Sequence, residues 1–196
     1  MTKFVAGLIS LFVFVSFGTA CTGTATTVGS NTAVPQTGAS GGELRFKAPA
    51  GWTTEKPSSS MRVAQYTLPR AEGDGEDGSL VLYFFGSGQG GSVSDNIDRW
   101  IGQMEQPGGA SAKDRAKSET LTINGLKVTT VDVSGTYIAQ MAPGSEARHN
   151  NPGYRLRAAV IETPKGNYFA KLVGPEKTIA KWDAAFNEYL KSFEYK

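Results

Sequence analysis

Gly86, Gly88 and Gly91, within "YFFGSGQGGSVSDNIDRW" (residues 83–100), match the spacing G-x-G-x-x-G. Glycines so placed let a backbone approach a pyrophosphate at the start of a helix. Gly86 and Gly91 also match the outer glycines of a P-loop. Each reading fails on its other requirements. A dinucleotide-binding unit needs a second parallel strand ending in an acidic residue about 20 positions on. Glu105 stands at that distance, but beside Pro107, and the strand that follows enters an Asn124-Gly125 hairpin. A P-loop needs Lys after Gly91 and then Ser or Thr, where this chain has Ser92 and Val93. No nucleotide and no cofactor is therefore expected. Two simpler roles remain: an anion held by free N–H groups at the helix start, or a β-to-α turn that needs small residues. The turn is the expectation.

Asn96 and Arg99 lie beside this loop and off the apolar stripe of the following helix. With Arg62 they make either a ligand patch or a salt-bridged face, and the sequence favours the latter. The candidate binding residues are thus Gly86, Gly91, Asn96, Arg99 and Arg62. Elsewhere the acidic run Glu72, Asp74, Glu76, Asp77 invites comparison with a calcium loop, which has Gly at position six and Glu at position twelve. Counted from Glu72, those positions hold Asp77 and Tyr83, so a solvated loop is expected. His149 is the only histidine. Without a second His or an internal Cys, a zinc site would need carboxylates from elsewhere. A Ser-His-Asp arrangement is not excluded by spacing, but no G-x-S-x-G elbow stands between an expected strand and an expected helix. No catalytic residue and no metal ligand is assigned.

The N-terminus supplies an address. Lys3 precedes a short apolar run, Phe4 to Phe17, and then Gly18-Thr19-Ala20 and Cys21. This is the order of a secretory signal peptide, and the run is shorter than the ~20 residues of a membrane-spanning helix. Cys21 is the only cysteine, so no disulfide forms within the chain. "GTAC" resembles the end of a lipobox, with Gly18 where Leu is usual. The expectation is lipidation of Cys21; simple secretion is the alternative. Acyl chains on that cysteine would give stable anchoring. Thr22, rather than Asp, follows the cysteine, which resembles the pattern sent to the outer membrane in a diderm host. Without Lys3, the 20 Lys and Arg become 19 against 18 Asp and Glu. That balance lacks the basic cluster nucleic acid would need.

Three regions follow: a signal peptide (1–20), a lipidated cysteine with a Thr/Gly/Ser linker (21–42), and one α+β domain (43–196). The linker has no charge and no aromatic, so it cannot pack. The remainder, roughly 150 residues, suffices for a core. Strands are expected at 44–47, 61–68 and 80–85, the last buried on both faces. Ser94 caps a helix carrying Val93, Ile97, Trp100, Ile101 and Met104, closed by Pro107-Gly108-Gly109. Hairpins turn at Asn124-Gly125 and at Thr163 to Gly166. Pro175 opens a last helix with Ile179, Trp182, Phe186, Tyr189, Leu190 and Phe193 on one face. Tyr83, Phe84, Phe85, Tyr168, Phe169, Trp182 and Phe186 read as core. The fold class is α+β, a mainly antiparallel sheet with helices packed on it.

"FKAPAGW", "LVLYFFG…GG…NIDRW" and "NYFAKLVGPEKTIAKWDAAFNEYLKSF" resemble a group of uncharacterised bacterial lipoproteins over most of 43–196. More distantly, the element order and the close of aromatic strand, Gly-Pro, helix and Ser-Phe resemble the PsbP-like fold, shared with a Ran-binding nuclear import factor. That resemblance implies a binding or assembly factor and carries over no functional residue, because the fold spans unrelated partners. The functional expectation is a lipid-anchored extracytoplasmic module that binds an envelope protein or component. An envelope hydrolase and a purely structural lipoprotein are the alternatives.

Overall fold

The computed structural model describes residues 42–196. The expected signal peptide, Cys21 and the linker up to residue 41 lie outside them. In chain order the elements are β1 (Leu44–Arg45), β2 (Thr53–Glu55), β3 (Arg62–Leu68), β4 (Gly78–Phe84), α1 (Val93–Ile101), β5 (Met104–Glu105), β6 (Lys117–Ile123), β7 (Leu126–Tyr137), β8 (Asn151–Thr163), β9 (Gly166–Pro175), α2 (Glu176–Lys181), α3 (Asp183–Lys191) and β10 (Glu194–Tyr195). The main sheet runs β2-β3-β4-β9-β8-β7, and the outer edge of β7 is shared by β6 and β5. Every pairing is antiparallel.

The hairpins follow from their turn residues. Asn124 and Gly125 both take positive φ, 48° and 80°, as a two-residue turn between twisted strands requires. Asn124 also donates from Nδ2 to Phe193 O at 2.9 Å and Lys191 O at 3.0 Å, tying this turn to the end of the chain.

The sheet is covered on both faces, which alternation makes possible. In β8, Ala159 and Ile161 face α2 and α3, while Leu156, Ala158 and Val160 face α1. All five are fully buried. The α2–α3 side is closed by Phe46, Trp52, Tyr66, Tyr189 and Phe193, whose rings meet edge-on or tilted at 4.9–6.0 Å. Such geometry adds to the apolar burial. β10 returns to pair with β1, so that Glu43 and Lys196 exchange backbone hydrogen bonds.

Several sequence expectations are corrected. Ser92, not Ser94, caps α1: its extended backbone leaves Oγ free to accept from Asp95 N at 3.1 Å. The helix ends at Ile101, well before Pro107, because the chain turns at Gly102 into β5, where Met104 pairs with Tyr137. The C-terminal helix breaks at Trp182 (φ −103°, ψ 9°). That break frees Trp182 Nε1 to donate to Pro69 O at 2.9 Å, and leaves Trp182 half-buried. Phe85 is exposed beyond the end of β4, and Tyr83 and Phe84 are half-buried. Of the aromatic set read as core, Tyr168, Phe169 and Phe186 are buried.

Candidate functional site

The glycine loop is held from within. Asn96 is fully buried, and its Nδ2 donates to the carbonyls of Gly90 and Ser92, both at 2.8 Å. Its Oδ1 accepts from Arg99 Nη2. Every polar atom of that side chain is therefore used within the protein. Gly86 and Gly91 have φ of 104° and 82°, a backbone geometry that favours glycine. Gly90 is the tightest position, since a Cβ there would stand 2.5 Å from the Phe169 ring. Gly86, Gly91 and Asn96 thus form a clamped turn that brings the start of α1 down onto the sheet.

Arg99 and Arg62 depart from the salt-bridged face. No ion pair among the described residues includes either of them. Arg62 Nη1 donates to Gln65 Oε1 at 2.7 Å, and its guanidinium lies 5.7 Å from the Tyr83 ring centre. Tyr83 stacks on Phe85, with centroids 5.8 Å apart and planes within 5°.

A further cation, absent from the sequence candidates, stands at the centre of this face. Register places Gln65, Val81, Lys171, Ala158 and Val131 in one row across five strands on the α1 side. Lys171 is the only charged residue in the row. Its Nζ donates to Gln103 Oε1 at 2.6 Å and to Tyr137 Oη at 3.0 Å. An ammonium has three donors; both observed acceptors are neutral, and no carboxylate pairs with it among the described residues. Burial, with Arg99 nearby adding a like charge, pushes its pKa down to about 8. Burial, with Tyr83 adding to it, pushes the Tyr137 hydroxyl up to about 12. The strand pattern carried a signal that was missed: Lys171 stands two residues from both Phe169 and Val173, so it shares their packed face of β9.

Two cations on the opposite face, Arg155 and Arg157, are matched. Arg155 grips Asp132 through two hydrogen bonds, at 2.8 and 2.6 Å, and reaches Asp183 at 2.9 Å. Arg157 reaches Asp183 at 2.9 Å and lies 4.8 Å from the Phe186 ring centre. An open groove of about 560 Å³ passes this network, lined by Gln106, Arg115, Lys117, Ser134, Arg155 and Glu176. Its floor is already satisfied, because Arg155 is paired and Ser134 donates to Glu176 at 2.8 Å.

The other sequence candidates are placed as follows. In the acidic loop, Asp74 accepts from the backbone N–H and the hydroxyl of Thr178, pinning the loop to α2. Among the described residues, no cluster of His, Cys, Asp or Glu is disposed to hold a metal. The His149 ring lies 5.1 Å from that of Tyr137 and hydrogen-bonds no serine or carboxylate among the described residues, so a triad is not assembled there.

No family model matches the chain, and no curated protein matches it. Solved structures do. LpqN of Mycobacterium tuberculosis, described as involved in cell envelope biogenesis, aligns over 84% of this chain and 90% of its own, with TM-score 0.50 and 10% identity. The two share a fold. Weaker likenesses join the chain to cyanobacterial PsbP from Synechocystis (TM-score 0.44, 15% identity, 78% of this chain and 86% of that one) and to PA94 of Pseudomonas aeruginosa (0.41, 15%, 76% and 88%). Among the described residues, no helix is long and apolar enough to cross a membrane.

Proposed function

We propose that this chain is an exported envelope protein, held at a membrane by acylation of Cys21, whose folded body is a binding module rather than an enzyme. The address rests on the order of Lys3, the apolar run 4–17 and Cys21. LpqN, whose fold is shared, is described as involved in cell envelope biogenesis, which agrees with that address. The observation that carries the binding reading is the α1 face. There Lys171, Arg99 and Arg62 have no carboxylate partner among the described residues, and Arg62 lies against Tyr83, which stacks on Phe85. Lys171 and Arg62 are half-buried, and a half-buried charge without an opposite charge is costly to keep; a bound partner would offset that cost.

Hydrogen exchange tests the binding reading. The full chain in phosphatidylcholine nanodiscs is compared with and without solubilised envelope material. Slower exchange is expected in residues 83–92 and in α1. Protection confined to other faces, or none, would overturn it. The anchor is tested separately: Cys21→Ala is expected to lose the acyl mass and leave the membrane fraction or accumulate as precursor.

A further inference from the structure

We infer that the α1 face holds a phosphate oxyanion between Lys171 and Arg99, with the apolar body of the ligand lying against Tyr83 and Phe85. This deepens the binding reading above and rests on it.

The geometry supplies each part. Lys171 keeps one ammonium donor beyond those given to Gln103 and Tyr137. Arg99 spends one donor on Asn96, leaving the rest of an exposed guanidinium free to form charge-assisted hydrogen bonds. Lys171 donates to Gln103, which follows α1 four residues beyond Arg99, so the end of the helix brings both cations to one face; Arg99 accordingly helps to lower the lysine's pKa. Phe85 is exposed and parallel to Tyr83, whose ring lies 5.7 Å from the Arg62 guanidinium, so the pair offers apolar surface beside a cation. The groups facing Lys171 are Arg99 from α1, Gln103 after it, Tyr83 from β4, Tyr137 from β7 and Ala158 from β8; none is an acid. Arg155 and Arg157 on the other face, by contrast, are paired with acids.

An anion between Lys171 and Arg99 favours the protonated lysine. Binding near pH 8 is then accompanied by proton uptake, and affinity falls as pH rises past 8.

The test uses calorimetric titration of the full chain in phosphatidylcholine nanodiscs at constant ionic strength. The probes are phenyl phosphate, inorganic phosphate, dihexanoyl phosphatidylglycerol and, as a charge-reversed control, benzyltrimethylammonium. Saturable binding is expected for phenyl phosphate or the glycerophospholipid, at least fivefold tighter than for inorganic phosphate, and none for the cation. The tighter of the two organic probes distinguishes a soluble ligand from a lipid headgroup. Lys171→Met and Arg99→Gln are each expected to weaken binding tenfold or more. Arg99 is exposed, so its variant keeps the test open if Lys171→Met fails to fold. Titration at pH 9.5 is expected to give at least tenfold weaker binding than at pH 7. Failure of every anionic probe, or equal affinity in Arg99→Gln, would overturn the oxyanion. Envelope-dependent protection of the same face would in that case leave the binding reading standing.

Discussion

Lys171 Nζ lies 2.6 Å from Oε1 of Gln103, a neutral acceptor. With its pKa near 8 in the fold and at the ordinary 10.5 when unfolded, the unfolded chain holds more protons between those values. Stability is therefore expected to rise as pH climbs from about 8 toward 10. The full shift corresponds to at most about 3 kcal/mol. Above pH 10 the raised hydroxyls of Tyr137 and Tyr154, both near 12, act in the opposite sense, since they ionise first in the unfolded chain. Denaturant melts across pH 7–10 check this. Lys171→Met is expected to be more stable than the parent at pH 7 and to show a flat profile; the same rise in the variant would assign it to another group.

Asp183 opens α3 and accepts from both Arg155 and Arg157, so it joins the helix to β8. Asp183→Ala is expected to cost about 1–3 kcal/mol, the range for leaving charged hydrogen-bond partners unmet. A double-mutant cycle with Arg157→Met is expected to give a coupling of about 1 kcal/mol or more. Additive losses would show that the two side chains act independently.

In the glycine loop, geometry separates two substitutions that the motif treats alike. A Cβ at Gly88 meets nothing within 4 Å, whereas one at Gly90 meets Phe169 at 2.5 Å and Phe85 at 2.9 Å. Gly88→Ala is expected to lose about 1 kcal/mol through its positive φ alone. Gly90→Ala is expected to lose about 2–4 kcal/mol, because overpacking adds to that strain. Thermal melts that rank them equally would contradict the packing of this loop.

Phe186 is fully buried, so Phe186→Ala is expected to cost about 3–5 kcal/mol. Trp182 is half-buried at the helix break, and Trp182→Ala is expected to cost about 1–2 kcal/mol, below the range for a buried ring. A larger loss for Trp182 than for Phe186 would place the break elsewhere.

Much of this was legible locally. Asn124-Gly125 specified a hairpin because few residues tolerate positive φ at both turn positions. The alternation in β3, the apolar run of β4 and the spacing of Ile97, Trp100 and Ile101 each fixed an element type. Boundaries were less legible. Ser92 and Ser94 are equally good caps in sequence, and only the direction in which the loop delivers the chain makes Ser92 the one whose Oγ meets a free N–H. The β2 and β10 strands are three and two residues long, too short to show any period.

By itself, the sequence determined the N-terminal order that motivates an exported, anchored protein, the α+β class, and the failure of the nucleotide motifs. Those are properties of neighbouring residues, and neighbours in sequence are enough to state them. The partnering of charges was decided by tertiary structure. Arg155 and Arg157 found acids because register set Asp132 opposite Arg157 and packing brought in Asp183. Lys171 found only Gln103 and Tyr137, because its row across the sheet contains no carboxylate. A charge is neutralised by what lies within a few ångströms in space, and strand pairing, not spacing along the chain, sets that list.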